Sequence, residues 1–135
     1  MQTSVDHRTL FHPLVAEWFS SEFARPTAVQ EQGWTSIYAG KDTLLAAPTG
    51  SGKTLAAFLC AIDKLTRAAI AKRLEDHTYV IYVSPLKALG NDIAKNLAYP
   101  LSGIRKLAEP SPYAVPQIRS AVRTGDTLTK DRQRQ

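Results

Sequence analysis

Apolar residues along this chain recur with two periods, and the alternation between them lays out the fold. Leu14, Val15, Trp18 and Phe19 share one face of a helix predicted over residues 13–22. Pro13 suits its first turn, where a missing N–H costs nothing. Arg25-Pro26 interrupts the helical pattern, and Thr27-Ala28-Val29-Gln30 reads as a capping box. The second helix it opens runs through about Ala39, with Gly40 as terminator. Thr43-Leu44-Leu45-Ala46 then reads as a short buried strand. Helical spacing returns with Leu55, Phe58, Leu59, Ile62 and Leu65. Beyond the polar loop Glu75-Asp76-His77, the run Tyr79-Val80-Ile81-Tyr82-Val83 is β-branched and aromatic throughout, as in a strand buried on both faces. Ser84-Pro85 ends it, and Leu86, Leu89, Ile93 and Leu97 carry a further helix. Pro100, Pro110, Pro112 and Pro116 make residues 99–116 mostly connection. Residues 117–122 read as a third short strand, a helix begins at Thr129, and the polar residues 1–9 are expected to fray. Strands alternating with helices imply an α/β class fold built on a parallel sheet with flanking helices.

Bulk properties narrow the functional classes. With 135 residues, 44% hydrophobic and 21% charged, the chain has the make-up of one globular domain and not of a disordered segment. No internal repeat or low-complexity tract is present. The longest uncharged apolar stretch, residues 54–62, is far too short to span a bilayer, and the N-terminus lacks a signal pattern. A cytoplasmic location fits best. The net charge of +5 permits a polyanionic partner, and residues 119–135 carry five cations against two carboxylates. A solvated helix face explains such a run equally well. Cys60 is the only cysteine, so no intrachain disulfide forms, and its neighbours make it a small buried residue. His7, His12 and His77 have no metal-ligand spacing and receive no ligand role.

The chemistry concentrates in Ala47-Pro48-Thr49-Gly50-Ser51-Gly52-Lys53-Thr54, between the first predicted strand and an amphipathic helix. That context is what a phosphate-binding loop requires. Gly50 and Gly52 allow backbone turns that let N–H groups converge on phosphates, and the helix N-terminus behind them adds positive charge. Lys53 is the candidate catalytic residue, reaching the β- and γ-phosphates, and the Thr54 hydroxyl is the candidate Mg²⁺ ligand. The plainer alternative is a glycine-rich turn capping an ordinary helix. Ala47 stands where many phosphate-loop enzymes have glycine.

Four segments in order resemble superfamily 2 helicases. Phe23-Ala24-Arg25-Pro26-Thr27-Ala28-Val29-Gln30 resembles the Q motif, and residues 47–54 match motif I in its Ala-first form. Ser84-Pro85-Leu86-Lys87-Ala88-Leu89 resembles motif Ia, and Val122-Arg123-Thr124-Gly125-Asp126-Thr127 is similar to a later nucleic-acid-facing segment. With Asn91-Asp92, these segments are most similar to the large helicase-related (Lhr) type, from about Phe11 onward. The resemblance implies a RecA-like P-loop domain. Residues 1–40 would be a helical lead-in with the Q-motif-like segment. Residues 41–135 would be the opening part of the ATP-binding domain, cut off before motif II. It also implies a DNA-stimulated ATPase, using ATP and Mg²⁺, that moves along single-stranded DNA, usually 3′ to 5′, and separates duplexes. DNA is the implied partner, with RNA possible, alongside a second RecA-like lobe. Gln30 would hydrogen-bond the adenine edge, while the local reading has it bonding back to Thr27; the roles are compatible. Phe11 either stacks on the base or, the better-supported reading, packs in the core. Pro85, Lys87, Arg123, Thr124 and Gly125 would meet the nucleic acid, Lys87 and Arg123 through phosphates. Pro85 as a strand stop and Gly125 as a turn are the ordinary alternatives.

One requirement of hydrolysis is missing from these residues. An acidic pair should hold Mg²⁺ and orient the attacking water, yet no Asp-Glu pair occurs. Glu75-Asp76 has the reverse order and precedes a predicted strand. The chain is therefore expected to be a fragment that binds ATP weakly, hydrolyses it negligibly and folds marginally. A P-loop kinase for a small metabolite and a non-catalytic nucleotide- or nucleic-acid-binding module are the competing readings.

Overall fold

Side-chain caps decide where the first three helices of this chain begin. The computed structural model describes residues 6–85, 90–112 and 117–134. Asp6 accepts from the Arg8 N–H at 3.0 Å and opens α1, His7–Leu10. The His12 ring accepts from the Leu14 N–H at 3.2 Å and opens α2, Pro13–Glu22. At α3, Ala28–Tyr38, the expected capping box is complete: Thr27 Oγ1 accepts from the Gln30 N–H at 3.3 Å, and Gln30 Oε1 accepts from the Thr27 N–H at 3.0 Å. Gly40 follows with φ of 73°, ending the helix as predicted. α4, Lys53–Ile70, starts from Gly52 with no side-chain cap. α5 spans Gly90–Ala108 and α6 spans Thr129–Arg134.

Two expectations about helices are corrected. Residues 7–9 do not fray but form α1, because Asp6 caps the turn and the His7 ring packs edge-on against Phe19 at 5.2 Å. Residues 99–108, expected to be connection, continue α5 with Pro100 inside it. A mid-helix proline costs about 3 kcal/mol through its missing N–H and its clash with the preceding turn. Burial offsets this: Pro100 and Ile104 are sealed, and each apolar side chain so buried returns about 1.5–3 kcal/mol. α5 also lies on α2, where Gly103 leaves room for the Trp18 indole and the Tyr99 hydroxyl donates to Glu22 at 2.6 Å.

The sheet is the larger departure. No strand is assigned among the described residues, including residues 43–46, 79–83 and 117–122. The run 79–83 is not buried on both faces. Tyr82 meets Phe58 of α4 at 5.0 Å between ring centroids, whereas Ile81 and Val83 are 80% and 83% exposed. Tyr79, which shares a side with Ile81 and Val83 in an extended chain, is 42% exposed, so the run shows no clean alternation. Parallel strands gain their stability when helices cover both faces and neighbours pair both edges. Here Val80 and Tyr82 stay about half exposed, and no neighbouring strand is assigned among the described residues.

The core therefore belongs to the helices. Val15 and Phe19 of α2, Trp34 of α3 and Leu59 and Ile62 of α4 are fully buried, with Phe11 wedged against Trp34 and Tyr38 at 4.9 and 5.7 Å. Phe11 is thus a core residue, as its better-supported reading held. The α3–α4 pair makes the most extensive helix contact and positions the site.

Candidate nucleotide-binding site

The segment 47–54 closes into a loop that α3 and α4 hold from opposite sides. Gly50 and Gly52 adopt φ of 81° and 84°, left-handed values that a β-carbon disfavours. The Ser51 N–H donates to the Pro48 carbonyl at 3.2 Å, making the turn. Lys53, the first residue of α4, sends its ammonium back across the loop to the Ala47 carbonyl. From α3, Thr27 Oγ1 donates to the Ser51 carbonyl at 2.8 Å and Gln30 Nε2 donates to the Gly52 carbonyl at 3.4 Å. A β-carbon on Gly52 would run into the Gln30 amide.

These contacts settle how Gln30 is used locally. It is 3% exposed, with its amide oxygen on the Thr27 N–H and its amide nitrogen on the loop. The capping role is therefore present, joined by a brace on the phosphate-loop backbone that its place in the sequence did not reveal. Thr27 likewise doubles as cap and brace.

The loop suits a bound phosphate chain. The Ser51 hydroxyl is buried without a hydrogen-bond partner, a cost that an oxygen ligand would relieve. Thr49, Gly50 and Thr54 are exposed at the loop face, so the Thr54 hydroxyl is free to meet a metal ion from the first turn of α4. Beside the Q-motif-like segment lies a cleft of about 290 Å³ lined by His7, Arg8, Ala24, Arg25, Pro26 and Glu31. Burial, partly offset by Asp6, lowers the His7 pKa, so the ring adds no firm positive charge there at neutral pH.

The candidate nucleic-acid residues are not gathered with the loop. Among the described residues, no hydrogen bond joins Pro85, Arg123, Thr124 or Gly125 to it. Pro85 is exposed at a bend, and Lys87 lies outside the described residues. Arg123 and Gly125 are exposed, and Thr124 is half-buried. Arg132, read in the sequence only as part of a basic run, organises this turn. Its guanidinium donates to the carbonyls of Thr127 at 2.8 Å, Gly125 at 2.8 Å and Thr124 at 3.2 Å. Thr127 Oγ1 accepts from the Thr124 N–H at 2.8 Å.

Residues 27–133 match the DEAD/DEAH box helicase family. The chain belongs to that family. Among helicase relatives, it is 48% identical over 134 residues to an ATP-dependent helicase Lhr-Core of Methanothermobacter thermautotrophicus, covering 99% of this chain and 15% of the relative. It is 50% identical over 122 residues to an Lhr helicase/probable uracil glycosylase of Mycolicibacterium smegmatis, covering 90% of this chain and 8% of the relative. The solved structure of Mycobacterium smegmatis helicase Lhr bound to ssDNA and AMP-PNP superposes with a TM-score of 0.86 at 46% identity, over 96% of this chain and 16% of that one. The helices thus occupy the places they hold in a RecA-like helicase fold, and the Lhr resemblance stands. One helicase match across residues 27–133 leaves the metabolite-kinase reading without support. Among the described residues, no helix is long and apolar enough to cross a membrane.

Proposed function

We propose that this chain forms the ATP-binding part of the first motor lobe of an Lhr-type DNA helicase, acting in the cytoplasm. The observation that carries the reading is the loop itself: two left-handed glycines, an unpaired buried Ser51 hydroxyl and a lysine reaching across. Lys53 exchanges the Ala47 carbonyl for the β- and γ-phosphate oxygens, neutralising charge that builds up during transfer. Loop N–H groups around Gly50 and Gly52 cradle the phosphates, and Thr54 holds Mg²⁺. Gln30, anchored at the loop's rear, meets the adenine edge with its remaining amide valence, and the base falls on the α3 side near Ala24, Arg25 and Pro26. When bound, Mg–ATP supplies the phosphoryl group whose release drives motion of the lobes.

Residues 43–46, 79–83 and 117–122 are assigned to the parallel sheet of the intact lobe, which would cover Leu44, Ile81 and Val83. Residues 1–40 serve as helical lead-in and residues 41–135 as the opening part of the ATP-binding domain. Pro85, Lys87, Arg123, Thr124 and Gly125 contact single-stranded DNA, a reading supported by the ssDNA in the related Lhr structure. Because no acidic Asp-Glu pair occurs in the 135 residues, hydrolysis requires groups beyond them.

Titration with a fluorescent ATP analogue in Mg²⁺ tests the reading. Lys53→Ala should weaken binding by about tenfold or more. Equal binding by the two proteins overturns the site. Strong DNA-stimulated phosphate release by the 135-residue chain would overturn the assignment of hydrolysis to additional residues.

A further inference from the structure

Asp63, ten residues into α4 from Lys53, is the one charged side chain sealed in the core among the described residues, with no exposed surface. Three donors meet its carboxylate: the His12 N–H at 2.6 Å, the Tyr38 hydroxyl, and Arg67 Nε one turn further along α4 at 2.8 Å. Arg67 also donates to the Leu10 carbonyl at 3.1 Å. One carboxylate thereby fixes the α1–α2 connection, the C-terminal end of α3 and the middle of α4 at a single point.

The cross-links between α3 and α4 form a series. Gln30 Nε2 donates to the Gly52 carbonyl, Trp34 Nε1 to the Ala56 carbonyl at 3.1 Å, and Tyr38 to Asp63. Donors and acceptors advance together by about one to two turns at each step, so the helices run parallel with a fixed register. The first rung lies at the phosphate loop and the last about 12 Å further along α3. A helix pinned at both ends can neither slide nor roll on its partner. A sealed carboxylate paired with the part-exposed Arg67 adds little stability over an apolar contact, but its three donors allow it one arrangement. Burial, then the Asp63 hydrogen bond, pushes the Tyr38 phenol above its ordinary range, so it stays a donor at all working pH values.

We propose that Asp63, through Tyr38 and Arg67, is a positioning residue that sets the register of the base-side helix α3 on the phosphate-side helix α4. The inference rests on the nucleotide reading above. It makes a distinct demand: loss of the clamp harms ligands that use both helices more than those that use the loop alone, which α3 reaches only through its Thr27 and Gln30 end.

Competition by Mg–ATP and by magnesium tripolyphosphate against a fluorescent ATP analogue, on the full chain, separates these cases. The unaltered chain should bind ATP more tightly than tripolyphosphate. Tyr38→Phe and Asp63→Asn should narrow that gap by about threefold to tenfold, with tripolyphosphate losing less than ATP. A purely stabilising role would lower the folded fraction and weaken both ligands in proportion, and that result, or an unchanged ratio, overturns the proposal. Should Asp63→Asn fail to fold, Tyr38→Phe decides, since its ring keeps the contact with Phe11 at 5.7 Å. If the unaltered chain does not distinguish the two ligands, the proposal fails while the phosphate loop stands, provided Lys53→Ala still loses both. If Lys53→Ala loses neither, the nucleotide reading falls first.

Discussion

Gly50 and Gly52 share a left-handed backbone but not their surroundings, so alanine at each separates conformational strain from contact. At Gly50, with φ of 81°, an added β-carbon would meet nothing within 4 Å, whereas at Gly52, with φ of 84°, that carbon strikes the Gln30 amide. Gly50→Ala should therefore cost about 1–2 kcal/mol, the left-handed penalty alone. Gly52→Ala carries the same penalty, plus about 0.5–1.5 kcal/mol for the lost Gln30–Gly52 hydrogen bond and about 0.5–2 kcal/mol for the disturbed cap on α3. Its expected total is about 2–5.5 kcal/mol. Urea unfolding followed by tryptophan emission reads both variants, because Trp18 and Trp34 are 3% and 1% exposed in the fold. Equal midpoints with equal slopes would show that the Gln30 contact carries no energy, and the picture of α3 as a brace on the loop would have to be abandoned.

Other outcomes follow from single residues. Burial lowers the pKa of His7, and burial with the nearby Arg67 lowers that of His12, so the unfolded chain binds more protons than the folded one below the ordinary histidine value. Their contribution to stability is present above about pH 6.5 and lost as pH falls through the depressed values. Thermal unfolding midpoints should drop over that interval, and replacing both histidines with glutamine should flatten the profile; an undiminished slope refutes the assignment. Burial pushes the Cys60 thiol up to about 12, so iodoacetamide at mildly alkaline pH should label it only after unfolding. Rapid labelling of the folded chain would contradict its burial. Arg123→Ala should reduce the log–log salt slope of single-stranded DNA binding by about 0.7, the share of one phosphate contact, measured by anisotropy. An unaltered slope removes Arg123 from the interface.

The helical half of the fold is legible in the sequence because its signals are local. Pro13, the Thr27–Gln30 box and Gly40 lie within one or two turns of what they control, and α2 and α3 begin where those residues place them. The turn at residues 47–54, with its left-handed Gly50 and Gly52, is legible for the same reason. The sheet is not, since pairing depends on neighbours that no window of Tyr79-Val80-Ile81-Tyr82-Val83 contains. The C-terminal half of α5 is hidden because Pro100 argues locally against a helix, while Ile104 and Trp18 supply the tertiary burial that overrides it. Asp63 does carry a sequence signal: a carboxylate beside Ile62 on an apolar helix face needs a partner, and Arg67 sits four residues on. Thr27, Gln30 and Arg132 each have one role that spacing suggests and perform another across 24, 22 and 8 residues of chain, a reach that spacing alone does not convey.

The arrangement of helices and extended segments bears on how a ligand held in the loop would act on the rest of this chain. Side chains of Thr27, Gln30 and Lys53 hold the loop's shape. A nucleotide bound there exerts force first on helices. α3 meets the loop at Thr27 and Gln30 and the buried Asp63 at its other end, so displacement of the loop backbone is transmitted along α3 as a rigid rod. A displacement of the loop on ligand binding would therefore reach the α3–α4 contact before the turn around Thr124 that Arg132 holds.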